Sequence, residues 1–146
     1  MAQNAKHNLL QTLWKPLEVF RARLEQACLE RLSDPLERSA AMRELATLSE
    51  ERLADGERAI YWLSQAFREL PDEEDVRLQM HQTAERFESH EALLQAYAAG
   101  REATQDLERR KELGLYIAAL YIGPVENHAA AEQEYQYILS FMPSEP

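Results

Sequence analysis

Nucleophilic, acid–base or metal chemistry in this chain would have to be built around four histidines and one cysteine. His90–Glu91 opens "HEALL", the first half of a zinc-protease helix, but leucine stands where the second histidine is needed. His81 and Glu85 lie one helical turn apart, a spacing that can hold a metal, yet no third ligand accompanies them. His7 and His128 fall near helix starts, away from any carboxylate or cysteine cluster. Cys28 sits in "LEQACLERL" at helical spacing from Leu24 and Leu32 and reads as a buried thiol with no activating neighbour. As the single cysteine, it cannot close an internal disulfide. There is no glycine-rich phosphate loop, nucleophile elbow or Cys–x2–Cys pair. The expectation is a non-enzymatic protein without cofactor or metal site.

Charge narrows the partners. Acids outnumber bases 26 to 16, for a net charge of −10. Phosphate binding requires the opposite balance, because its affinity comes from releasing counterions to lysine and arginine. The one dense basic cluster, Arg109 to Lys111, is interleaved with acids in "DLERRKEL" and reads as a solvated helix face. No nucleic-acid partner is expected. Nor is a membrane, since no run approaches the ~20 apolar residues of a span. The start, "MAQNAKHNLLQTLW", lacks the apolar core of a signal peptide, so the expected location is cytoplasmic.

The elements that carry these residues are read from punctuation. Gly and Pro number only 4 and 6, and Ala, Leu, Glu, Arg and Gln dominate, which points to an all-α fold. Over residues 36–53, Met42, Leu45, Ala46, Ser49 and Leu53 form one stripe, with Asp34 as N-cap and Pro35 at the first helical position. The break "ADG" follows, and Asp55 caps a second helix that buries Ala59, Leu63, Ala66, Phe67 and Leu70 and stops before Pro71. The acidic run Asp72 to Asp75 falls where the next helix begins, where carboxylates cap free N–H groups and favour the helix dipole. That helix buries Val76, Met80, Thr83, Ala84 and Phe87, and its successor turns Leu93, Ala96, Tyr97 and Gly100 inward. Asp106 and Asn127 cap the last two helices, the latter ending at Pro143. Upstream, "HNLLQTLW" and an amphipathic helix starting at Pro16 make a partial hairpin over 8–32. About seven helices result, with short links.

These helices repeat. Met42 aligns with Gly114, Leu45 with Ile117, Ala46 with Ala118, Ser49 with Tyr121, and the caps Asp55 with Asn127. Ala59 then aligns with Ala131, Leu63 with Tyr135, Ala66 with Ile138, Phe67 with Leu139, Leu70 with Met142 and Pro71 with Pro143. Each pair is 72 apart (143 − 71 = 72). One further hairpin, 74–104, fits between them, so the unit is about 36 residues, a period that marks stacked helix hairpins.

This pattern resembles the tetratricopeptide repeat family. The carrying residues are Leu45–Ala46–x2–Ser49 and Ile117–Ala118–x2–Tyr121, then Ala59–x3–Leu63 with Pro71 and Ala131–x3–Tyr135 with Pro143. Met42 and Gly114 stand where the family prefers tryptophan, the hairpin turns of the two outer units are one residue longer than typical and that of the middle unit is shorter, and the middle unit lacks the closing proline. The resemblance implies a single array over 1–146, a right-handed α-solenoid of antiparallel hairpins at 36–70, 74–104 and 107–142. It further implies a scaffold that binds a peptide or partner protein in a concave groove. The groove row would be Arg43, Thr47 and Glu50, then His81, Glu85 and Glu88, then Leu115, Ala119 and Ile122. The charged six also read as a plain solvated face, whereas the apolar trio would need covering if exposed. Tyr61, Trp62, Tyr135 and Tyr137 read first as packing aromatics. The outer side of the last helix, with Tyr137 and Phe141, would be a contact surface. The alternative role is a structural subunit that self-associates, as a homo-oligomer or in a larger assembly, through the ends of the array.

Overall fold

The computed structural model describes residues 16, 19–23, 25–27 and 29–142. His7, Leu24, Cys28, Pro143 and the segment "HNLLQTLW" lie outside the described residues. Among those described the fold is all-α, with no strand. Helical residues at 16, 19–23, 25–27 and 29 precede α1 (Pro35–Glu51), α2 (Gly56–Glu69), α3 (Glu74–Arg86), α4 (His90–Ala103), α5 (Leu107–Ile122) and α6 (His128–Phe141). Two compact units divide the chain, residues 1–83 and 84–146, with the boundary inside α3.

Local chemistry sets the helix starts. Asp34 accepts from the Leu36 N–H, Asp55 from Arg58 and Asn127 from Ala130, while Asp106 accepts from both Glu108 and Arg109. Each such cap satisfies an orphan donor and contributes about 1 kcal/mol. The acidic run divides its work: Glu74 and Asp75 occupy the first turn of α3, and Glu73 accepts a hydrogen bond from the Ser39 hydroxyl.

The two outer turns are near-copies. Ala54 has φ 51° and Glu126, 72 residues on (126 − 54 = 72), has φ 54°. In the first turn the N–H of Leu53 donates to Leu48 and that of Asp55 to Ser49; in the second, Val125 donates to Leu120 and Asn127 to Tyr121. The left-handed residue lets each chain reverse while the last carbonyls of the preceding helix stay bonded. The middle turn is tighter, with Glu88 at φ 52° and the Ser89 N–H returning to the Ala84 carbonyl.

In residues 1–83, α1 and α2 pack antiparallel, because Arg38 near the start of α1 bonds both oxygens of Glu69 at the end of α2. The same guanidinium also donates to the Leu29 and Leu32 carbonyls, closing the C-terminal end of the upstream helical residues. The shared core is Met42, Leu45, Ala46, Ala59, Ile60, Leu63, Ala66 and Phe67, with Val76 and Met80 of α3 also buried. Fully burying a leucine such as Leu63 stabilises by about 2 kcal/mol.

In residues 84–146, α5 packs on α4 through Tyr97 and Tyr116, whose ring centroids are 5.4 Å apart. Against α6 it approaches so closely that a Cβ on Gly114 would lie 3.0 Å from the Ile138 side chain. A side chain at 114 could be admitted only if Ile138 shifted.

Several expected core positions are only partly covered. Leu53 and Phe87 lie past the ends of their helices, which stop at Glu51 and Arg86, and Leu70 and Ala96 are half-buried. Two are not covered: Tyr135 is 42% exposed and Leu139 54%, although their counterparts Leu63 and Phe67 are 0% and 2% exposed. The stripe is the same, but among the described residues no helix lies against it on α6. No helix among the described residues is long and apolar enough to cross a membrane.

Candidate functional site

The first helix of each hairpin carries the candidate row, and the structure treats its members differently. Arg43 is half-buried and donates from Nη2 to Gln79 Oε1 at 3.3 Å, joining α1 to α3. Glu50, also half-buried, accepts from the Thr83 hydroxyl at 3.2 Å, and Ser39 reaches Glu73 at 3.3 Å. These three links span 36, 33 and 34 residues in sequence. Arg43 and Glu50 therefore stitch one first helix to the next, where the sequence suggested a solvated face or a groove. Thr47, between them, is exposed and turns its hydroxyl back to the Arg43 carbonyl.

His81 is half-buried on α3 and Glu85 is exposed. Glu88 is not on the helix at all; it is the left-handed residue of the turn that follows. Among the described residues no group of three His, Cys, Asp or Glu side chains is placed to hold a metal ion.

On α5 the apolar trio is exposed: Leu115 to 42%, Ile122 to 45%, with Ala119 between them. They occupy positions i, i+4 and i+7, one stripe about 10 Å long. The basic cluster on the same helix is engaged locally. Arg109 pairs with Glu112, Lys111 stands 3.7 Å from Glu108, and Arg110 donates to the Thr104 carbonyl.

The last helix faces two ways. Arg101 of α4 pairs with Glu134, both largely buried, and its guanidinium lies 4.8 Å from the Tyr137 ring centroid. Tyr137, still 38% exposed, packs edge-on against Phe141 with ring centroids 5.1 Å apart. The outward row is Tyr135 and Leu139. Helical spacing alone would have found that row.

Trp62 is buried, while Tyr61 is half-exposed beside it, and the Arg58 guanidinium lies 5.3 Å from both ring centroids. Arg58 and Trp62 border an open recess of about 200 Å³ whose floor includes Val19, Leu45 and Leu53. The Ser49 hydroxyl within it is committed to the Leu45 carbonyl at 2.8 Å. What the recess offers a guest is apolar contact with arginine at the rim.

The chain matches no protein-family model, no curated protein and no solved structure.

Proposed function

We propose that this chain is a non-enzymatic protein-interaction scaffold of the tetratricopeptide kind, a right-handed solenoid whose hairpins offer the faces of their first helices to a peptide or partner protein. The observation that carries this reading is the spacing of its tertiary side-chain links. First helix joins first helix through Arg43–Gln79 and Thr83–Glu50, 36 and 33 residues apart, Ser39 reaches Glu73 just before α3, 34 apart, and Arg101–Glu134 joins successive second helices 33 apart. Such a constant step is what nearest-neighbour stacking of one repeated unit produces. The near-identical turns at Ala54 and Glu126 support the same unit.

Because Arg43 and Glu50 hold helices together, Thr47 and Glu85 are the exposed polar members of the row still on its helices, beside the exposed apolar trio Leu115, Ala119 and Ile122. The test is capture from lysate of the source organism with wild type and a Thr47→Arg/Glu85→Arg variant. A protein retained by the wild type and lost by the variant, whose circular dichroism is unchanged, supports the groove. Equal retention by both removes it. A second reading, self-association through an end of the array in a cytoplasmic assembly, is favoured by one observation: Tyr135 and Leu139 lie open where Leu63 and Phe67 are buried.

A further inference from the structure

We propose that the recess beside Trp62 binds a small aromatic monocarboxylate, its ring seated on the apolar floor and its anion held by Arg23 and Arg58.

Three helical segments of residues 1–83 build the recess. Val19 and Arg23 come from the upstream helical residues, Leu45 from α1 and Leu53 from just past its end, and Arg58 and Trp62 from α2. Leu45 is 1% exposed and Trp62 6%, so the core fixes the floor and one wall. The volume, about 200 Å³, exceeds the roughly 150 Å³ in which a dry apolar cavity takes a benzene ring. One ring with a short tether therefore fills it. Water gains little on this floor, because the Ser49 hydroxyl is already committed to the Leu45 carbonyl at 2.8 Å. A solvent molecule with few polar partners is displaced by an apolar guest at little cost.

Charge selects the other end of the guest. Several arginines of this acid-rich chain are answered by carboxylates, Arg38 by Glu69, Arg101 by Glu134 and Arg109 by Glu112. Arg23 and Arg58 are exposed, and among the described residues neither guanidinium meets a carboxylate and no Asp or Glu borders the recess. Arg58 is held by π contact instead, its guanidinium 5.3 Å from the centroids of both Tyr61 and Trp62. Ring faces position a cation without using its N–H donors. The fork of Arg58 is thus placed at the mouth with its donors open, the arrangement that a carboxylate matches with two parallel bonds. A net charge of −10 repels a dianion more than a monoanion, which favours a carboxylate over a phosphate. The apolar floor favours it again, because inorganic phosphate has no body to bury. Neither Thr47 nor Glu85 is among the described residues that border the recess, so this site goes beyond the scaffold reading and is independent of it.

The experiment titrates phenylbutyrate into the whole chain, with phenylbutyramide as the uncharged comparison. A Trp14→Phe background leaves Trp62 as the sole fluorescent reporter, and calorimetry follows the same titration. Saturable binding is expected, with a dissociation constant of about 0.1–3 mM for a ligand of about a dozen heavy atoms. The amide should bind at least about tenfold more weakly, since it forfeits the charge-assisted hydrogen bonds. Arg58→Gln should weaken phenylbutyrate about tenfold, and Arg23→Gln about threefold to tenfold. Both positions are exposed, so the far-UV spectrum should not change. Arg52→Gln, at an exposed arginine that is not part of the recess, should leave the affinity unaltered. No saturable heat or emission change up to about 20 mM overturns the proposal. Equal binding of acid and amide overturns it too, as does binding that survives both glutamine substitutions. Displacement of the probe by equimolar inorganic phosphate also overturns it, because the arginines without the floor would then be the site. None of these results alters whether Thr47 and Glu85 retain a lysate protein, so the scaffold reading stands or falls separately.

Discussion

Phe67 and Leu139 occupy the same place in the repeat, 72 residues apart (139 − 67 = 72), and truncating each to alanine should have very different consequences. Phe67 is 2% exposed in the core of residues 1–83, so Phe67→Ala removes a ring that its neighbours cannot replace. Buried phenylalanine truncations cost about 3–5 kcal/mol, transfer and cavity terms together. Leu139 is 54% exposed, so more than half of its side chain already meets water. Its truncation forfeits only the covered remainder of a ~2 kcal/mol burial, about 1 kcal/mol or less, and opens no cavity. With a urea slope of about 2 kcal/mol/M, the Phe67 variant should lose about 1.5–2.5 M in midpoint and the Leu139 variant under about 0.5 M. Because arrays can unfold in parts, the assay should read each hairpin separately. In a Trp14→Phe background, Trp62 fluorescence reports α2, where Trp62 is buried, and amide hydrogen exchange reports α6. The measurement belongs near 1 µM, below the range of a weak self-association. Equal losses at that concentration would refute the reasoning, since they would mean that α6 is covered in the isolated chain. A Leu139 cost that grows with protein concentration would instead place that residue inside a contact between copies.

Two further perturbations follow from the turns and from the α5–α6 crossing. Ala54→Gly and Glu126→Gly should each stabilise by about 0.5–1 kcal/mol. Relief of a left-handed side-chain clash outweighs the extra freedom glycine gives the unfolded chain. The same change at Ala99, exposed within α4, should destabilise by about 1 kcal/mol, and thermal or urea midpoints will show the opposite signs. Gly114→Trp should cost about 3 kcal/mol or more because Ile138 fills that space. Gly114→Ala should stay within about 1 kcal/mol of wild type, its helix-propensity gain offsetting the small shift asked of Ile138. Chemical denaturation of both variants checks the pair.

What was legible in the sequence was local. Asp34, Asp55, Asp106 and Asn127 cap helices with acceptors two or three residues from the N–H groups they bind, so their chemistry can be read without knowing the fold. The alternation of stripes and the interval between Asp55 and Asn127 needed no tertiary knowledge either, because a repeated unit repeats its punctuation. The left-handed turn residues were not legible, since alanine and glutamate carry no signal for positive φ and Gly56 lay nearby as a decoy.

Which faces were covered could be decided only by the tertiary structure, because burial depends on what lies opposite, more than thirty residues away. Arg43 and Glu50 look like a solvated face until Gln79 and Thr83 are brought beside them. That Arg101 of α4 stands over the Tyr137 ring, 36 residues away in sequence (137 − 101 = 36), is likewise invisible to helical spacing. Leu63 and Tyr135 fall on the same stripe at the same position, yet one is sealed and the other open. Periodicity determines which residues share a face of a helix; only the neighbouring helix determines whether that face meets protein or water.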